Sequence, residues 1–387
     1  MLKSLRLKQF GIFKLKDRLS IFKIKLDKEY FMLEEILEQK EVFTSLCKKF
    51  FDENLNINLR DFPVKKWNRI IICASGSSKN AGEIAKYVIE SLAKIPCSIE
   101  YASEFAHKDT PIGKNDLFIA ISQSGNTADT FEALLKAKSK GAKTFALTND
   151  INSKIHNNAD YKILADAGIE KSIAATKSFT AQLFILYVFA IGLAEKIYGE
   201  QFIDLKREFV EISEKYEEIF LQRPKIKKIA KKIKKAKSLV ILARNINSAL
   251  AKEGGLKIKE TCYINAISAP SGEFLHGHFA FLDKNVPIFG ILNKAENDEE
   301  NYNLALNNLY EIKKKRRANV ILIRTKDDYF AEEKIGNKFS VEIPEINRLF
   351  TPFLNLIALQ LIAYETAKLI HDNIDKPRDL TKCVVSE

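Results

Sequence analysis

The sequence predicts an α/β fold of two similar lobes in tandem, each a parallel sheet flanked by helices. Three observations carry this. Short β-rich apolar runs alternate with amphipathic helical stretches, the pattern of repeated strand–helix–strand units. The series begins near residue 68 and restarts near residue 237, so the unit is written twice. Helical segments from about 175 to 236 join the two series.

The elements follow in order. Residues 1–28 contain short alternating runs with a turn near Lys16–Arg18, the pattern of a hairpin. A lone hairpin is marginal, so it is expected to lean on another surface. "DKEYFMLEEILEQKEVFTSLCKKFF" then reads as a helix entering the first lobe. The first lobe's strands are expected at 69–74, 97–102, 116–122, 143–148 and 161–164, and the second lobe's at 238–243, 262–267, 286–292, 319–324 and 339–343. The expected division is a hairpin extension at 1–28, a first lobe with its entry helix at 29–200, a second with its linker helix at 201–375, and a tail at 376–387.

Of the 387 residues, 46% are apolar and 29% charged, an ordinary globular balance. The five cysteines, Cys47, Cys73, Cys97, Cys262 and Cys383, are scattered, odd in number and free of C-x-x-C. They argue against a disulfide framework or a zinc site and suit a reducing cytoplasm. The histidines form no H-E-x-x-H spacing, and no metal or cofactor is expected. No signal peptide is visible, and the run "LFILYVFAIGLA" is too short to cross a bilayer, so it reads as a buried helix. Much of the net charge of +12 sits at Lys225–Lys237 and Lys313–Arg317. In the first stretch Ile226, Ile229, Ala230 and Ile233 recur at helical spacing and turn the lysines outward. Without interleaved aromatics this is a solvated face, and no nucleic-acid or membrane partner is expected.

In parallel α/β sheets ligands bind beyond the carboxyl ends of strands. There "IAISQSGNTADTFEALL" turns from strand to helix through Ser122, Gln123, Ser124, Gly125, Asn126 and Thr127. Hydroxyls and a glycine at a helix N-terminus suit an anion, and the lack of a lysine favours one phosphate monoester over a triphosphate. Two serines, a glutamine and a threonine exceed what a simple cap needs. Ser75, Gly76, Ser77 and Ser78 form a similar turn on the same sheet edge. The matching turn of the second lobe, "ILNKAEND", has no such cluster. Instead Glu253, Lys257 and Glu260 share one helix face, beside Gly254 and Gly255, which weaken a helix with no evident structural gain. A surface ladder would give the same spacing. Downstream, His276 lies in a polar, glycine-bearing loop with Glu273 and His278, where an imidazole can move protons near neutral pH.

Taken together, "EYFMLEEILEQ", "SQSGNTADT", "ATKSFTAQL", "EGGLKIKE", "GEFLHGH" and "DKPRDLTKCVVSE" resemble, in order, the isomerase part of the glutamine–fructose-6-phosphate aminotransferase family, which is built from two sugar isomerase (SIS) domains. The resemblance runs from about Glu29 to Glu387, and its P-R-x-L-x-K tail is the most specific part. It implies two flavodoxin-like three-layer sandwiches. It implies that Ser122, Gln123, Ser124 and Thr127 bind the sugar phosphate with Ser78, Ala174 and Ala175 nearby. Glu260 would shuttle a proton between C1 and C2, and His276 would reach in from the second subunit of a homodimer to help open the ring. Lys382 would form an imine with the C2 carbonyl of fructose 6-phosphate, and Lys257, Glu253, Glu170 and Arg378 would support the site.

The chemistry stands on its own terms. Ketose-to-aldose conversion needs a base that removes one proton and returns it next door, and an amine activates a carbonyl as an imine. The sequence departs from the family at Ser75-Gly76-Ser77-Ser78, where C-G-T-S is usual. It departs also at Asn126 for Glu, Ser172 for Gly, Ala175 for Ser and His278 for Pro. It begins without the family's glutaminase domain, and residues 4–26 resemble that domain's last hairpin. The nitrogen source is then free ammonia or a separate ammonia-supplying, glutaminase-type protein, unless the chain only isomerises its sugar phosphate. A different SIS enzyme and a non-catalytic sugar-phosphate sensor are the remaining readings.

Overall fold

The computed structural model describes residues 30–382 apart from positions 297 and 337. The expected N-terminal hairpin and the last five residues of the tail, 383–387, lie outside the described residues.

Two short helices, α1 (Phe31–Leu37) and α2 (Gln39–Phe50), lead into the first lobe. Its strands are β1 (Arg69–Ala74), β2 (Cys97–Tyr101), β3 (Asp116–Ser122), β4 (Lys143–Thr148) and β5 (Tyr161–Leu164). Helices α3 (Gly76–Leu92), α4 (Ala102–His107), α5 (Ala128–Ser139) and α6 (Lys154–Asn158) connect them. All neighbouring strands pair in parallel, in the order β2-β1-β3-β4-β5. Covered on both faces, β3 is buried at every position, which is why its sequence is a continuous apolar run.

Four helices carry the chain across: α7 (Lys177–Tyr198), α8 (Ile203–Val210), α9 (Tyr216–Phe220) and α10 (Arg223–Ile233). The second lobe repeats the winding with β6 (Ser238–Ala243), α11 (Ile246–Cys262), β7 (Asn265–Pro270), β8 (Ile288–Leu292), α12 (Glu299–Arg316), β9 (Val320–Thr325), α13 (Tyr329–Ile335) and β10 (Ser340–Ile343). Its order, β10-β9-β8-β6-β7, is the first sheet's order read from the opposite edge. Helix α14 (Thr351–Ala367) closes the fold.

Two expectations need correction. The second strand of the second lobe begins at Asn265, not at Cys262. Cys262 completes α11, and Tyr263 turns the chain in the left-handed region at φ 57°. The apolar run was real, but its first residues belong to the helix end. Gly254 and Gly255 also have a structural reason. A Cβ at Gly254 would lie 2.8 Å from Leu359 of α14, and one at Gly255 would lie 2.5 Å from Ser268 Oγ of β7. Their absence of side chain lets α11 pack tightly against both.

The apolar run read as a buried helix is the middle of α7, a helix of 22 residues that is buried from Lys177 to Ala194. Its length and hydropathy alone would suit a membrane span, but α2 and α3 pack along it. The lobes share one core here. Phe43 of α2 meets Phe184 of α7 at 4.8 Å and Phe353 of α14 at 5.4 Å between ring centroids. Phe43→Ala removes the ring that both lobes touch, so it is expected to lower the unfolding free energy by about 3–5 kcal/mol, read by denaturant melts.

Candidate active site

The first lobe's strand order reverses direction between β1 and β3, so the turns that follow these strands diverge and leave a crevice. A cavity of about 380 Å³ occupies it. The Ser75–Ser78 turn and the Ser122–Thr127 turn form two of its walls, and Glu260 of α11 and Lys382 of the tail complete it. Residues distant in sequence and in different lobes thus meet in one pocket.

The second turn is rigid. Ser122 Oγ lies 2.9 Å from Thr127 Oγ1 and accepts the Gly125 N–H at 3.0 Å. Gly125 has φ +65°, and a Cβ there would lie 2.0 Å from Ser153 Oγ, so only glycine fits. Ser122, Gln123, Ser124 and Thr127 all line the cavity at the N-terminus of α5, which favours negative charge. Asn126 is turned elsewhere: its Oδ1 accepts the Lys154 N–H at 3.1 Å, at the start of α6.

Behind the cavity, Lys257 and Glu253 are wholly buried. The surface-ladder alternative therefore fails. The Lys257 ammonium lies 2.6 Å from Glu260 Oε2 and 3.3 Å from Glu253 Oε1, and donates to Ser77 Oγ at 3.0 Å. Ser77 Oγ and Asn80 Nδ2 donate to Glu253 at 2.9 and 2.8 Å. Burial alone would discharge Lys257, but Glu253 and Glu260 outweigh it and hold its pKa above the ordinary lysine value. The second lobe thereby grips the first lobe's turn through a charged, hydrogen-bonded network.

The tail enters from the other side. Lys382 Nζ lies 2.6 Å from Glu170 Oε2 and donates to the Ser172 carbonyl. Glu170 is fully buried, and burial pushes its carboxyl up. Lys382 and the Thr176 and Ser178 donors at the start of α7 prevail and hold it below the usual carboxylate range. These two contacts hold the Lys382 amine against the first lobe.

Other expected residues stand apart from the cavity. Ala175 lines it, whereas Ala174 is buried behind the wall. Arg378 does not line it; its guanidinium lies 4.2 Å over the Tyr263 ring, and its backbone N–H donates to Tyr263 Oη. His276 is exposed on the segment after β7 and is not among the cavity residues of its own chain. Two participants were not singled out in the sequence, Asn80 and Glu35; Ser77 was read there as part of a pocket turn, without its bonds to Glu253 and Lys257. Glu35 of α1 is 3% exposed and accepts the Lys171 and Ser172 N–H groups. Its signal was available, since a glutamate between Leu33 and Ile36 sits on the helix's apolar side.

Comparison with known proteins places these features. The SIS domain profile matches residues 64–192 and 232–369. The chain is 38% identical over 359 residues to a glutamine–fructose-6-phosphate aminotransferase (isomerizing) of Aquifex aeolicus, covering 93% of this chain and 58% of that relative. The chain thus spans less than two thirds of that relative's length. A solved C-terminal domain of glucosamine-fructose-6-phosphate aminotransferase from Francisella tularensis superposes with a TM-score of 0.84 at 31% identity, over 90% of this chain and 99% of that one. A glucosamine-6-phosphate deaminase from Thermotoga maritima, at 22% identity and a TM-score of 0.72 over 92% of this chain and 100% of that one, shares the fold.

Glu35 makes the site's surroundings pH-sensitive. Burial first, and then the charge of Glu170, raise its carboxyl from 4.5 to about 7. The folded state therefore binds this proton more tightly than the unfolded chain does. The stabilisation is complete below pH about 4.5 and is lost as pH rises through about 7. Wild-type stability is expected to fall by roughly 3 kcal/mol across that window relative to Glu35→Gln, measured by urea unfolding at stepped pH.

Proposed function

We propose that this chain, which belongs to the SIS domain family, converts fructose 6-phosphate to glucosamine 6-phosphate. The observation that carries the reading is the meeting of a hydroxyl-lined helix N-terminus, a carboxylate and a lysine amine in one cavity. The similarity to the aminotransferases of Aquifex aeolicus and Francisella tularensis supports it.

On this reading the sugar phosphate sits against Ser122, Gln123, Ser124 and Thr127, with Ser78 and Ala175 lining the same cavity. Hydroxyl donors and the α5 dipole supply the complementary field. The carbonyl end then points toward Lys382. The free amine adds to C2 and water leaves, giving an imine. Glu170 is the counter-ion for the ammonium form, which must give up a proton before it attacks. Ammonia displaces the lysine at C2 and returns it as amine. Glu260 takes the C1 proton and delivers it to C2, so the nitrogen ends on C2 of an aldose. The sum is ketose phosphate plus ammonia giving amino-aldose phosphate plus water.

Lys257 acts from behind. Its fixed positive charge lies 2.6 Å from Glu260 Oε2 and holds that side chain in place. His276 belongs to this reading as a ring-opening group contributed by the partner of a homodimer, and Arg378 as a support of the tail. The nitrogen enters the site as ammonia.

The test is purified protein with fructose 6-phosphate and ammonium, assayed for amino sugar. Turnover is expected, and Lys382→Ala is expected to lose it while keeping a native circular dichroism spectrum. Glucose 6-phosphate as the sole product would leave an isomerase without amination. Sugar-phosphate binding with no turnover would leave a sensor.

A further inference from the structure

The cavity accounts for Lys382 and Glu170 but not for what holds the segment between them. That segment is 170–173. Its Glu170 carboxylate and Ser172 carbonyl are the two acceptors for the Lys382 amine. It has no regular secondary structure of its own, so its shape depends on neighbours.

Those neighbours come from α1. The Glu35 carboxylate accepts the Lys171 N–H, and both its oxygens lie 3.3 Å from the Ser172 nitrogen. The Lys171 ammonium sits 4.4 Å over the Phe31 ring of the same helix. Asp375, at the root of the tail, caps the first turn of α1 by accepting the Phe31 and Met32 N–H groups at 3.0 and 2.9 Å. Its backbone carbonyl accepts the Ile173 N–H at 2.9 Å. Helix α1 therefore touches the tail's root and, through the 170–173 segment, the tail's functional end.

We propose that Glu35 is a positioning residue for Lys382: from α1 it fixes the Lys171 and Ser172 backbone, which aims the Glu170 carboxylate and the Ser172 carbonyl at the amine. The inference rests on the reading of Lys382 as the imine-forming amine. A buried carboxylate beside a second carboxylate is costly to keep, and backbone N–H acceptance is what it supplies here. Glu35 lines no part of the cavity and reaches the amine only through the 170–173 segment, so the change is expected in the amine's placement and not in sugar-phosphate binding.

The experiment traps the imine. Full-length protein is mixed with fructose 6-phosphate and reduced with cyanoborohydride, and the modified peptide is timed by mass spectrometry. Wild type is expected to carry the adduct on Lys382. Glu35→Ala is expected to trap about a hundredfold more slowly, the cost of a misplaced reacting group, with the KM for fructose 6-phosphate unchanged within about twofold. Glu35→Gln keeps an acceptor oxygen and is expected to restore most of the rate. If the alanine variant does not fold, Glu35→Met keeps the bulk and removes the acceptor, with the same expected slowing. Trapping at the wild-type rate in the alanine or methionine variant overturns the inference while leaving the imine reading intact. A glutamine variant as slow as alanine also overturns it. Absence of any adduct in wild type overturns the imine reading and this inference with it.

Discussion

One buried ammonium holds the site together. Lys257 sits with no solvent exposure between Glu253 and Glu260, and both Lys257 and Glu253 bond Ser77 of the opposite lobe. A buried cation flanked by carboxylates is stable only when its charge is met, and breaking one member of such a set is far more damaging than its net stabilisation suggests. The arrangement is therefore a geometric constraint rather than a source of stability. It ties α11 to the start of α3 and leaves Glu260 as the one member that opens on the cavity. The tight packing of α11, permitted by Gly254 and Gly255, sets how near that carboxylate comes to the serine turns.

Duplication explains why one site suffices. The two sheets have the same strand order, and each has a crevice where that order reverses. Serines line the first lobe's crevice, whereas the turns after β6 and β8, residues 244–247 and 293–296, contain none. The second lobe contributes the helix that carries the charged residues, and the tail after α14 returns Lys382 to the first lobe. Each lobe alone would hold half a site, which is why the shared core around Phe43, Phe184 and Phe353 bears on function as well as stability.

Much of this was legible in the residues. Strand runs, helical spacing and hydroxyl-rich turns are local patterns, and nine of the expected strands begin within two residues of where they form. The spacing of Glu253, Lys257 and Glu260 showed a shared face but not its burial, because burial comes from elements that are remote in sequence. Asn80, and the pairing of Ser77, were hidden for that reason: their partner Glu253 lies on the other lobe. Glu35 was visible as a charge on an apolar face, yet its partners lie over a hundred residues away. The Cys262 run failed differently, because an apolar residue serves a helix end as well as a strand start.

The central claim is that Glu260, held by Lys257, is the base that moves a sugar proton. Its most direct measurement is deuterium entry at C1 of fructose 6-phosphate in heavy water, followed by NMR with wild type and Glu260→Gln. Wild type is expected to exchange that hydrogen, and the variant to slow the exchange by about 10²–10⁴-fold while still binding the sugar phosphate. Exchange at the wild-type rate in Glu260→Gln would contradict the account.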